Sequence, residues 1–163
     1  MSNPLMKSPP RTVWRIVSGR YAATPFDGEG ARLYGGRWNF AGLPLVYSAS
    51  TLALAALELF IHLEPSLAPA DLVAVSADIP ADLKTERITV SELPPDWRHY
   101  PAPDRLKRFG AEWLRGRTSA VLLVPSVVIP EEINVLLNPL HPDFPQIRPG
   151  LGKPFSFDPR MWK

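Results

Sequence analysis

The 163-residue chain contains no cysteine. Disulfide scaffolds, thiolate metal sites and cysteine nucleophiles are therefore excluded, and a cytoplasmic setting suits the chain. No apolar run approaches the roughly 18 residues of a membrane span. Met1 to Pro10 is polar and proline-bearing and lacks the apolar stretch of a signal peptide. This segment, residues 1–10, reads as a flexible lead-in to one domain over residues 11–163. Strong charge of either sign is missing too, since 18 basic against 16 acidic side chains leave a net +2. The isoelectric point of 9.1 carries little weight, because near charge balance one or two residues move it far. Nothing here calls for direct nucleic-acid binding. The three histidines, His62, His99 and His141, show no metal-ligand spacing, so no metal site is expected. No phosphate-binding glycine motif follows a strand, and no G-x-S-x-G surrounds Ser126.

What is present is a globular composition. The hydrophobic fraction is 45%, and the length suits one domain with a real core. Twenty prolines are spread among apolar segments and read as punctuation of a loop-rich fold. Strands are expected at Thr12 to Val17, Pro44 to Ala49, Leu72 to Ile79, Arg87 to Val90 and Ser119 to Val124. Gly19 to Arg32 and Pro94 to Pro103 read as loops. The strongest helix is Thr51 to Leu63, with Ser50 as its N-cap and Pro65 beyond its end. A second helix, Asp104 to Arg115, places Leu106, Phe109, Trp113 and Leu114 on one side, with Gly116 as its stop. Glu132 to Leu137 is strand or helix, closed by Asn138-Pro139. Phe155 to Phe157 reads as a last edge strand. Strands with two helices interposed, without regular βαβ alternation, make an α+β domain.

The run Leu33-Tyr34-Gly35-Gly36-Arg37-Trp38-Asn39 has a ligand-cradling composition. Two glycines let the backbone turn tightly and expose its N–H groups. Arg37 offers a planar fork suited to phosphate, Trp38 an apolar slab, and Asn39 both a donor and an acceptor. The bland alternative for Arg37 is a solvated or surface-paired guanidinium.

Glu58 is the second informative residue. It lies in Leu52 to Ile61, a helix that is apolar nearly all round and so reads as buried. A carboxylate there is costly unless it is paired or opens on a cavity. Thr51, Ala55, Glu58 and His62 form a stripe of small or polar groups that suits the wall of a cleft. A structural ion pair or a partly exposed helix edge is the competing explanation. Tyr47 reads as a buried strand tyrosine, and Ser126 as a turn or capping serine. Asn134 and Asn138 read as turn or cap residues, and His141 lies in a proline-rich loop.

Taken in order, these segments resemble the RES domain family. The resemblance rests on Trp14-Arg15-Ile16, Gly28 to Ala31, Gly35 to Asn39, Gly42 and Val46-Tyr47. It continues through Ala53 to His62, Val124-Pro125-Ser126 and Asn134 to Pro142. It covers about Arg15 to Arg160, while residues 80 to 118 carry nothing diagnostic. It implies an ADP-ribosyltransferase-like α+β fold, a split β-sheet around an NAD cleft with flanking helices. It also implies the toxin of a bacterial type II toxin–antitoxin pair, which depletes NAD by breaking the nicotinamide–ribose bond. The family's named trio falls on Arg37, Glu58 and Ser126, with Tyr47 as a further catalytic-pocket residue. Gly35, Gly36, Arg37, Trp38, Asn39, Tyr47 and Asn134 are the implied NAD contacts. NAD is the substrate, and no further cofactor is expected. The implied partner is a helical, Xre-like antitoxin that makes any DNA contact itself, with a toxin dimer inside a larger complex. An RNA-cleaving toxin using Arg105, Lys107, Arg108, Arg115 and Arg117 is the alternative enzyme, and a non-catalytic NAD- or partner-binding module is the other.

Overall fold

A computed structural model describes Pro9 and residues 11–162. The lead-in expected at residues 1–10 lies, Pro9 apart, outside the described residues. Among the described residues are strands β1 (Thr12–Ser18), β2 (Val46–Ala49), β3 (Leu72–Asp78), β4 (Thr85–Arg87), β5 (Val121–Pro125), β6 (Ile133–Leu137), β7 (Arg148–Pro149) and β8 (Lys153–Pro154). The helices are α1 (Glu29–Tyr34), α2 (Leu52–Phe60) and α3 (Asp104–Gly116). No helix among the described residues is long and apolar enough to cross a membrane.

The strands join in the order β4-β5-β6-β2-β1-β3-β7, with β8 also on β3. Only β4 and β5 run parallel, and α3 is their crossover. This α+β sheet is all but divided in two. β5, β6 and β2 pair continuously on one side, and β1 and β3 pair from Thr12↔Asp78 to Ser18↔Leu72 on the other. Between β2 and β1 the register holds a single pair, Trp14↔Ala49. Where the ladder stops, the Tyr47 carbonyl accepts from Arg15 Nη1 at 2.9 Å. A side chain thus stands in for a missing strand partner, as a buried carbonyl requires.

Alternation along the strands creates two apolar faces. Val13, Val17, Val46, Val75, Val121, Leu123, Val135 and Leu137 belong to one core. Leu122, Val124 and Leu136 face the other way and pack with Trp38, Leu45, Leu106, Trp113 and Leu114. The second core binds α3 and the Gly35–Asn39 loop to the same sheet face.

Several elements differ from the sequence expectation. The segment expected to be loop contains α1, because Gly28 (φ +74°) redirects the chain and Asp27 Oδ1 accepts from the Glu29 N–H. The Glu29–Arg32 pair adds local support one turn on. Helix α2 is shorter than expected and capped by Thr51, not Ser50, since Thr51 Oγ1 accepts from Leu54 N at 3.1 Å. It is not buried all round: only Leu54 is fully buried, and His62 and Ile61 are exposed. Strand β4 lies at Thr85–Arg87, before the expected Arg87 to Val90. A capping box between Thr89 and Glu92 turns the chain there instead. Ile133–Leu137 is strand, recruited by pairing on both edges. The last edge pairing falls at Lys153–Pro154, not Phe155 to Phe157.

Asn138 and His141 cap α3. Asn138 Nδ2 donates to the Leu114 carbonyl (3.2 Å), and its Oδ1 accepts from Leu140 N (3.0 Å). His141 Nδ1 accepts from Asp143 N, so Nε2 carries the proton toward the Arg117 carbonyl at 3.0 Å. Helix termini leave such carbonyls unpaired, and buried ones need donors. Asn138 is fully buried. Asn138→Ala should therefore cost about 1–3 kcal/mol. A urea midpoint that does not fall would show that the cap is dispensable.

Candidate active site

Thr51 starts α2 directly after β2, and two residues before its end the helix carries Glu58 to the boundary between the half-sheets. Two donors from the β5–β6 side meet one of its oxygens. Ser126 Oγ donates to Glu58 Oε1 at 2.6 Å, and Asn134 Nδ2 donates to the same oxygen at 2.7 Å. Ser126 follows β5 and is fully buried. Its Oγ accepts from the N–H groups of Val128 (3.1 Å) and Ile129 (3.2 Å). Those bonds occupy the hydroxyl's acceptor side and leave its proton for Glu58. Asn134 is no turn or cap residue. It sits within β6, opposite Ala49 and Val124, and its Oδ1 is buried without a partner. Glu58 Oε2 accepts no hydrogen bond among the described residues.

The Gly35–Asn39 loop is built to hold Arg37. Gly35 (φ +71°) ends α1, and Gly36 N donates to Asn39 O at 3.1 Å. A Cβ on Gly36 would lie 2.6 Å from the Tyr47 hydroxyl oxygen. That hydroxyl accepts from Trp38 N (2.9 Å) and donates to Asn39 Oδ1 (2.7 Å). Burial pushes its pKa up against the opposing effects of Trp38, Arg37 and Asn39, so it stays a protonated donor. Arg37 Nη1 donates to the carbonyls of Trp97 (2.8 Å) and His99 (3.1 Å). Partial burial lowers the Arg37 pKa, and Glu58 and Tyr47 oppose that shift. The Glu58 charge thus bears on Arg37.

Two expected ligand groups are spent on the loop itself. Trp38 is 2% exposed and packs in the second core, so its indole is a packing residue. Asn39 is fully buried, with Nδ2 directed at the carbonyls of Ala31, Phe40 and Leu43. His62, expected on the stripe of Thr51, Ala55 and Glu58, is exposed. The structure brings Glu58, Ser126 and Asn134 into contact, and the charge of Glu58 bears on Arg37. A hollow of about 300 Å³ between Asp78, Ile79, Pro80, Gln146 and Arg148 shares no residue with the site.

Three supporting features escape sequence reasoning. Arg15, half-buried on β1, bonds the Tyr47 carbonyl and leaves Nε buried without a partner. Burial pulls its pKa down to about 10 against the opposing charge of Asp27, so it remains cationic at neutral pH. An arginine in a β-rich run was the available signal. The segment around Trp97 and His99 had none, because it contributes carbonyls that any sequence has. Gly110 had a weak one, a glycine inside a helix. A Cβ there would fall 1.6 Å from the Trp38 carbonyl oxygen.

Residues 12–158 match the RES domain. The chain belongs to the RES domain family. Among RES relatives, the Prs ADP-ribosylating toxin of a Sphingobium species is 40% identical over 152 residues, covering 91% of this chain and 94% of that one. Toxin Res of Yersinia enterocolitica is 38% identical over 150 residues, covering 91% and 98%. The fold is shared with a chain in the crystal structure of the M. tuberculosis MbcT–MbcA toxin–antitoxin complex, at a TM-score of 0.72 and 18% identity over 90% of this chain and 84% of that one.

Alanine favours a helix interior over glycine by about 1 kcal/mol. Gly110→Ala should nonetheless destabilise this RES domain by about 1–3 kcal/mol, because Trp38 must be displaced. Denaturant unfolding checks the sign, and a stabilised variant would contradict the close approach.

Proposed function

We propose that this RES domain is a toxin that breaks the nicotinamide–ribose bond of NAD. The observation that carries the reading is Glu58, a carboxylate with one oxygen tied by two donors and the other left for a ligand. Membership of the family and the names of the relatives support it.

The chemistry asks little of an acid catalyst. The bond between ribose C1′ and the pyridinium nitrogen breaks, and its electron pair neutralises the nicotinamide. The ribose is left as an oxocarbenium-like cation. Glu58 stabilises that charge through Oε2, while Ser126 and Asn134 prevent the carboxylate from rotating away. Ser126 is a positioning group here and not a nucleophile. Arg37 clamps the pyrophosphate or adjoining ribose with the guanidinium donors that Trp97 and His99 leave over. The Tyr47 ring walls the nicotinamide side, and Gly35 and Gly36 allow close backbone approach.

The acceptor then adds to C1′ through its oxygen and loses a proton. Water, phosphate or a protein side chain satisfies the balance. The name of the Sphingobium relative favours a protein acceptor. The reading also includes an Xre-like antitoxin that covers the cleft, a toxin dimer within that complex, and action in the cytoplasm. Tyr34 and Tyr100, 85% and 84% exposed, flank the two segments that hold Arg37 and offer such a partner apolar surface.

Purified protein should release nicotinamide from NAD, and mass analysis with and without phosphate should identify the acceptor. No NAD loss at excess enzyme, with total RNA degraded on a gel instead, would sink the reading. Glu58→Gln keeps an acceptor for Ser126 and Asn134, so the unfolding midpoint should hold while nicotinamide release falls about 100-fold or more. Arg37→Ala should chiefly raise KM for NAD, measured by initial rates. An unchanged KM would remove Arg37 from the clamp.

A further inference from the structure

The C-terminal segment closes on α2 through aromatic rings. Phe60, the last residue of α2, stacks on Trp162 with centroids 5.1 Å apart and planes at 25°. It also meets Phe157 at 5.8 Å, and Phe157 meets both Trp162 (5.6 Å) and Phe155 (5.1 Å) edge-on. Such offset and edge-to-face pairs hold geometry beyond the area they bury.

The rings are tied to one half-sheet. β8 pairs with β3 at Val73↔Pro154 and Ala74↔Lys153, and Phe155 N donates to Leu72 O at 2.8 Å. The Asp158–Arg160 fork then shapes the turn Pro159–Trp162 that presents the indole. Glu58, two residues before Phe60, is tied to the other half-sheet through Ser126 and Asn134. The two halves share one pair, Trp14↔Ala49, and α2 has one fully buried residue, Leu54. A nine-residue helix with so little burial is a weak platform for a carboxylate that must not move.

We infer that the clasp of Trp162 and Phe157 on Phe60 positions Glu58 by holding α2 against the β1–β3 half-sheet. Trp162 lies past residue 158, where the RES match ends. The inference rests on the reading of Glu58 as the reacting carboxylate.

The test uses the full chain with Trp162→Ala and Trp162→Phe. Two measurements are made: hydrogen exchange across residues 55–61, and initial rates of nicotinamide release. Trp162→Ala should speed exchange across α2 at least fivefold. It should lower kcat at least tenfold while KM for NAD stays within twofold, because Arg37 lies outside the clasp. Trp162→Phe should restore both, since a ring remains for Phe60. If Trp162→Ala does not fold, Trp162→Leu is judged by the same criteria. Unchanged exchange across residues 55–61 overturns the clasp. So does faster exchange with kcat intact, which would leave it a stabilising contact only. If the wild-type chain releases no nicotinamide, the proposed function fails, and the clasp then stands or falls on exchange alone.

Discussion

One carboxylate oxygen, held by two neutral donors from the end of β5 and from β6, is the interaction on which the site depends. Hydrogen bonds to a charged group contribute about 1.5–3 kcal/mol each, and losing one leaves a buried partner unsatisfied. Here the donors come from the end of β5 and from β6, while the acceptor rides on a helix. The bonds therefore do more than stabilise. They set the distance between α2 and the strand ends, and they leave Oε2 as the oxygen available to a ligand.

Arg37 is held by a different physical means. No side chain pairs with its guanidinium among the described hydrogen bonds; backbone carbonyls of Trp97 and His99 do. The loop beneath it is fixed by Tyr47 and Asn39 from below and by the backbone of α3 from the side. A cation neutralised by carbonyl dipoles keeps its full charge for an anionic ligand. An arginine paired with a carboxylate does not. The arrangement thus separates two duties, with a tethered carboxylate on α2 and, on the glycine loop, a cation that no carboxylate hydrogen-bonds among the described residues.

Much of this was legible in the chain. Short β-rich or apolar runs marked β1, β2, β3 and β5, and apolar spacing marked α3, because strand propensity and the helix period are written in the chain. The two glycines before Arg37 announced a tight turn, and Glu58 in an apolar helix announced a group needing partners. Less legible were α1 and the exact cap of α2, where short-range hydrogen bonds from Asp27 and Thr51 decide. Trp38 and Asn39 looked like ligand groups because an exposed and a buried indole, or carboxamide, are the same letters. Only the second core shows that both are consumed within the loop.

By itself the sequence determined the α+β class, the glycine–arginine turn and the isolation of a carboxylate on an apolar helix, all of which are local or periodic properties. The tertiary structure alone decided which groups answer that carboxylate. Ser126 and Asn134 lie 68 and 76 positions from Glu58, and no spacing rule reaches that far. It likewise decided that Gly110 must lack a side chain, that Arg15 fills the split, and that Trp162 closes on Phe60. Each is a contact between distant segments, and its geometry exists only once the half-sheets and helices have packed.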